Sequence, residues 1–205
     1  MKKLALLVGV LLALFLTLVL VPPPPQKVEA AAFDSSDVYS ALAYLPSGAG
    51  RRMVGAGATA NLKVYVDSYT DDAEAKQYAT TLLEQGPDQL LKSLEKAKRI
   101  GKVQLDRHMG FFDLKLIRSR PTQEGRRIVG VCDRPIGFLE AYAGSQSMDN
   151  KFGILILDLK QDSKGKEEGV GQLIYAAKVK VLEGNKIEVE NYGVDPVKLM
   201  GVRKL

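Results

Sequence analysis

The sequence predicts an α+β domain: a strongly curved antiparallel sheet or partly open β-barrel of about eight to nine strands, with one inserted helix pair. Three observations carry this. Phe152 to Leu205 is a run of short apolar and β-branched stretches punctuated by Gly, Asn, Asp and Pro, the pattern of strands joined by turns. One stretch with a helical period, from Asp71 to Gly101, interrupts segments that otherwise alternate with a period of two. The connections between strands are mostly short, which favours antiparallel neighbours.

The N-terminus comes first. Lys2 and Lys3 precede an unbroken apolar run from Leu4 to Val21, then Pro22 to Pro25, then Val28-Glu29-Ala30-Ala31-Ala32. A basic start, an apolar stretch and small residues at Ala30 and Ala32 predict an export signal cleaved after one of them. The run is longer than a usual signal core and just reaches bilayer-spanning length, so an uncleaved anchor over residues 4–21 is the alternative. Either outcome puts the domain, residues 33–205, outside the cytoplasm, periplasmic or extracellular. Removing three lysines and one glutamate with residues 1–32 takes the formal charge from +5 to +3. Between Lys92 and Arg134 twelve Lys/Arg face five Asp/Glu, an asymmetry that can mark a surface for anionic partners. For an exported chain the expected partners are a lipid, an anionic small molecule or an envelope protein, and not nucleic acid.

Val38 to Leu45 alternates as a first strand and is ended by Pro46. The glycine-rich stretch Ser47 to Gly57 carries Arg51 and Arg52, but lacks the Lys-Ser/Thr of a phosphate loop and opens no helix, so it reads as a hairpin loop. Leu62 to Asp67 alternates with Leu62, Val64 and Val66 inward. Asp71 and Glu74 have capping-box spacing, and Tyr78, Ala79, Leu82 and Leu83 form a buried stripe. Gly86-Pro87 breaks this helix and starts a second, with Leu90, Leu91, Leu94 and Ala97 on one face. Lys98 and Arg99 are expected in its last turn and Gly101 as its stop. Strands are then expected over Lys102–Asp106, Phe111–Arg118, Arg126–Cys132 and Phe138–Tyr142. In the second of these Phe112, Leu114 and Leu116 share a face.

In Phe152–Lys160, Ile154 and Ile156 point one way and Leu155, Leu157 and Leu159 the other, so both faces want burial. The core would take one face and the helix pair the other. Gly169–Leu182 should bend at its glycines. The last hairpin has a two-residue candidate turn at Gly184-Asn185, but that register splits Val179 and Val181 from Ile187 and Val189. A three-residue loop, Glu183–Asn185 or Gly184–Lys186, puts all four on one face, and the longer loop is therefore expected.

The chemistry available is limited. His108 is the sole histidine, so neither a Ser-His-Asp triad nor a multi-histidine metal site has the imidazoles it needs without it. Asp158, Asp162 and Gly165 do not form a calcium loop, because Ser163 stands where glycine is required. Cys132, the only cysteine, reads as a small buried hydrophobe, with a reactive thiol as the sharper alternative. No cofactor, metal ligand or catalytic residue is assigned. The constellation that stands out is Arg118, Arg120, Arg126, Arg127 and Arg134, whose guanidinium groups suit carboxylate or phosphate. Phe112, Phe138 and Tyr142 are the candidates for an apolar pocket. The leading expectation is a non-enzymatic exported binding module for an apolar or anionic ligand. The alternatives are a structural or assembly factor of the cell envelope, and a hydrolase using carboxylates or Cys132.

Overall fold

A computed structural model of the chain describes residues 37–44, 59–106, 110–137, 150–162, 165–183, 186–191 and 196–205, all within the unit Asp34–Leu205. The export segment expected at 1–32, the glycine-rich loop, His108, and the strand expected at Phe138–Tyr142 with its two pocket candidates lie outside these residues.

The chain forms β1 (Asp37–Tyr44), β2 (Thr59–Val66), α1 (Asp72–Gln85), α2 (Pro87–Lys96), β3 (Gly101–Leu105), β4 (Phe112–Leu114), β5 (Leu116–Pro121), β6 (Gly125–Cys132), β7 (Phe152–Gln161), β8 (Glu167–Leu182), β9 (Lys186–Asn191) and β10 (Val197–Lys204). All strand pairings are antiparallel, in the order β4-β3-β2-β1-β10-β8-β7-β6-β5, with β9 on the far half of β8. The two ends of that order, β4 and β5, are consecutive stretches of one segment with only Lys115 between them. The sheet therefore rolls into a nearly closed barrel, in which this one segment leaves β3 and joins β6.

That exchange of partners corrects the expectation for Phe111–Arg118. Phe112 and Leu114 do point inward, but the inward residue after them is Ile117, and Leu116 faces out. Lys115 is the extra residue. Its N–H donates to the Val131 carbonyl at 2.9 Å and extends the β6 ladder, while Leu114 still accepts from Ile100 at 3.0 Å. A bulge of one residue inverts the alternation beyond it. The gap left at this seam is filled by Thr70, whose N–H donates to the Ile117 carbonyl at 2.8 Å and whose hydroxyl accepts from the Ile117 N–H at 3.0 Å.

Asp71 caps α1 as expected, its carboxylate accepting from the Glu74 N–H at 2.7 Å. Glu74 does not close the reciprocal bond of a capping box; its carboxylate accepts from the Tyr78 hydroxyl at 2.9 Å instead. The helix α2 ends at Lys96, earlier than its composition suggests, so Lys98 and Arg99 lie beyond it and Gly101 opens β3. The reason is tertiary. Ile100 accepts from the N–H groups of Asp67 and Ser68 and donates to Leu114, which requires extended chain before β3.

The interior is a continuous cluster that includes Tyr39, Leu62, Val64, Val103, Leu114, Ile117, Ile128, Leu155, Leu157, Leu173 and Leu199. A second cluster lies outside the wall, where Tyr78, Leu82, Leu90 and Leu94 of the helices cover Phe152, Ile154, Ile174 and Val179. The two-faced burial read for β7 is met as expected, with Leu155, Leu157 and Leu159 inside and Ile154 and Ile156 beneath the helices. The last hairpin pairs Leu182 with Lys186, Lys180 with Glu188 and Lys178 with Glu190, the register of the three-residue loop Glu183–Asn185.

Candidate functional site

Alternation decides where the arginines go. On β6 the inward residues are Arg126, Ile128 and Cys132, and Arg127 points out. On β5 the residues Leu116, Arg118 and Arg120 share the outer face. The structure thus gathers Arg118, Arg120, Arg126 and Arg127 at one end of the β5–β6 hairpin but divides them by the wall. Arg134 follows the other end of β6 and stands exposed there, apart from the rest.

Arg126 is the centre of a buried polar cluster that caps this end of the barrel. Its guanidinium grips Glu167, at the start of β8, through Nε–Oε1 at 2.6 Å and Nη2–Oε2 at 2.7 Å. It also donates to the hydroxyls of Tyr39 at 2.6 Å and Tyr69 at 3.2 Å. Asp37, the first residue of β1 and only 1% exposed, lies 3.4 Å away and accepts from Tyr69 at 3.1 Å. Lys204, at the end of β10, meets the other Asp37 oxygen at 2.6 Å. Two carboxylates and two cations thus neutralise each other with both tyrosines as donors. A buried charge is tolerated only when paired in this way.

The ionisation of this cluster follows from its packing. Burial pushes the Asp37 carboxyl up, but the bonds from Lys204 and Tyr69, with the charges of Lys204 and Arg126, outweigh it and hold it below the usual aspartate value. Burial pushes Tyr69 up to about 12 despite the opposing charge of Arg126, and raises Tyr39 beyond the ordinary tyrosine range. Arg126 is raised too: desolvation opposes its charge, but the Glu167 bond prevails. Asp37 stays ionised, both tyrosines stay neutral and Arg126 stays charged at neutral pH. None of these four is poised for proton transfer near neutrality.

The outer arginines are also largely occupied. Arg118 donates to the Thr70 carbonyl at 2.7 Å and pairs with Asp72, and Arg127 holds Asp158 through bonds of 2.6 and 3.1 Å. Arg120 sits directly opposite Arg127 and forms no ion pair among the described residues. Phe112 is half-buried against the interior cluster. Cys132 is fully buried, and desolvation raises its thiol well above the ordinary range, so the thiolate needed for nucleophilic chemistry is strongly disfavoured.

A second charged grouping lies on the wall that the helices leave bare. Lys102 of β3 is set between Tyr65 of β2 and Asp113 of β4 by register. Its Nζ stands 4.6 Å from the Tyr65 ring centre and 5.2 Å from that of Phe111. The Arg99 guanidinium lies 5.3 Å from the same Phe111 ring, which is 44% exposed. Lys63, exposed on β2, is the next outward residue before Tyr65. Two cations at two aromatic faces, with Lys63 farther along β2 and one nearby carboxylate, form a partly exposed patch suited to an anionic group with an apolar portion. The outward positions of an alternating strand could have revealed it, since Lys63 and Tyr65 alternate with Leu62, Val64 and Val66.

Among the described residues no three His, Cys, Asp or Glu side chains assemble to hold a metal ion, and no helix is long and apolar enough to cross a membrane. Comparison of the chain with models of protein families, with curated proteins and with solved structures finds no match.

Proposed function

We propose that this chain is a non-enzymatic exported binding module, periplasmic or extracellular, that takes an anionic ligand with an apolar portion, such as a lipid headgroup, on its bare wall. The observation that carries the reading is the stacking of Lys102 and Arg99 on Tyr65 and Phe111, with Lys63 exposed two residues before Tyr65 on β2. Cations held over aromatic rings keep their charge available to an incoming anion, while the rings offer apolar contact. By contrast, Arg118, Arg126 and Arg127 are already engaged by Asp72, Glu167 and Asp158. The N-terminal apolar run supports a ligand found at membranes, whether it is cleaved or retained as an anchor over residues 4–21.

The test is co-sedimentation of the purified chain with vesicles of phosphatidylglycerol and, separately, of phosphatidylcholine, at low and high salt. Binding to the anionic vesicles alone, weakened by salt and lost in Lys63→Glu/Lys102→Glu, is the expected result. Equal binding to both vesicles, or to neither, overturns the reading. Loss in Arg120→Ala/Arg127→Ala instead, with Lys63→Glu/Lys102→Glu binding normally, moves the site to the arginine-rich hairpin end and overturns the assignment to the bare wall.

A further inference from the structure

The hairpin of β8 and β9 departs from the barrel in a way that the ligand reading does not use. β8 runs for 16 residues, but its pairing with β10 covers Glu168 to Leu173 and its pairing with β7 stops at Ala177. From Lys178 to Leu182 it is paired with β9 alone. β9 has no second neighbour among the described residues, which leave one of its edges open. On one face of this ribbon Val179 lies opposite Val189 and Val181 opposite Ile187. Val179 and Val181 pack against the outer cluster, whereas Ile187 and Val189 remain 46% and 42% exposed.

An apolar strip on an open edge is a template for another strand. The edge of β9 is complementary to itself. Turned antiparallel on a two-fold axis through Glu188, two copies set Ile187 of each opposite Val189 of the other. The apolar face then continues unbroken across four strands, as two rows: Val179, Val189, Ile187 and Val181, and the same in reverse. The same register sets position 186, a lysine in the sequence, opposite Glu190 twice; it also sets Glu188 against its own copy, a single like-charge contact at the axis, with Lys180 opposite Glu188 in each copy and paired to Glu190 at 2.5 Å. A shift by one residue would put Ile187 and Val189 on the charged face. A shift by two leaves a single apolar pair in either direction, and in one direction it also sets Glu188 against Glu190 twice, a like-charge contact that destabilises.

We propose that the chain forms a two-fold dimer by antiparallel pairing of β9 with β9 of a second copy, in the register that centres on Glu188. The dimer does not depend on the lipid reading, since the patch around Lys102 lies on a different part of the wall. The experiment uses the full chain with Glu188→Cys under oxidising conditions. Cys132 is buried, so the new thiol is the accessible one. A covalent dimer on a non-reducing gel is expected for Glu188→Cys and not for Glu168→Cys, an exposed position on β8 away from the hairpin. A second variant, Ile187→Lys/Val189→Lys, should weaken self-association at least tenfold by sedimentation velocity. Wild-type chain that stays monomeric at every concentration, or Glu188→Cys that crosslinks no more than Glu168→Cys, overturns the proposal. A dimer that survives Ile187→Lys/Val189→Lys also overturns it.

Discussion

Arg126 shows how one side chain ties distant parts of the chain together. Its partners come from the first residue of β1, from the turn after β2 and from the start of β8, and the hydroxyls of Tyr69 and Tyr39 add bonds of 3.1 Å each to Asp37 and Glu167 across the same elements. Replacing it by Met leaves Glu167 and Asp37 buried with one cation fewer. We expect Arg126→Met to cost about 3–5 kcal/mol in urea unfolding, the range for breaking a buried pair from one side. Removing the partner as well, in Arg126→Met/Glu167→Leu, should recover much of that loss, because the uncompensated carboxylate is what destabilises. Asp37 adds a pH dependence of definite sign. Its folded pKa lies below the unfolded value of about 4, so its stabilisation is fully present above that pH. As pH falls below about 4 and through the folded value, the stabilisation is lost. Asp37→Asn should therefore flatten the acid limb of stability against pH, read as the urea midpoint at successive pH values.

At the scale of the element, close approach of backbones shapes the barrel. Gly169 of β8 sits between Leu159 of β7 and Val202 of β10, and a Cβ there would come within 1.9 Å of the Asp158 carbonyl oxygen. No rotamer relieves a contact with backbone, so Gly169→Ala must displace β7. Its cost should exceed the roughly 1–3 kcal/mol of ordinary overpacking and be visible as a lowered Tm. The sequence marked this glycine only as an expected bend, not as a close approach, whereas the helix pair, the Asp71 cap, the two-faced β7 and the register of the last hairpin were legible. Each follows from a local period or a local steric rule. The bulge at Lys115 was not legible, because Phe111 to Ile117 reads as an unbroken strand and only closure of the sheet demands the extra residue. The early end of α2 was hidden for the same reason: Lys98 and Arg99 suit a helix, and the pull on Ile100 comes from Leu114 and Asp67. In the arginine cluster, alternation could separate Arg126 from Arg127. It could not supply Asp37 and Glu167, which are 89 and 41 residues away.

At the scale of the whole molecule, the barrel has two unlike walls. One carries the helices, and between them lies a second apolar layer as continuous as the interior itself. The other wall faces water, and along it polar residues mix with single apolar ones such as Leu42 and Met200, which stand side by side in the β1–β10 register and are 39% and 40% exposed. Scattered exposure of this kind needs no covering layer. The asymmetry makes a comparison of equal substitutions informative. Leu94, on α2, is fully buried between the helices and the wall, and Leu94→Lys would force an ammonium into an apolar layer that offers it no carboxylate among the clustered residues. That should cost more than about 4 kcal/mol, enough to prevent folding in a domain of ordinary stability. The same change at Leu42 leaves the charge in water with its stem along the wall, and should stay within about 0.5 kcal/mol. Circular dichroism and urea midpoints of the two variants would read the difference directly. Similar losses at both positions would mean that the bare wall is covered in the folded protein. The patch around Lys102 on that same wall would then be closed to any ligand.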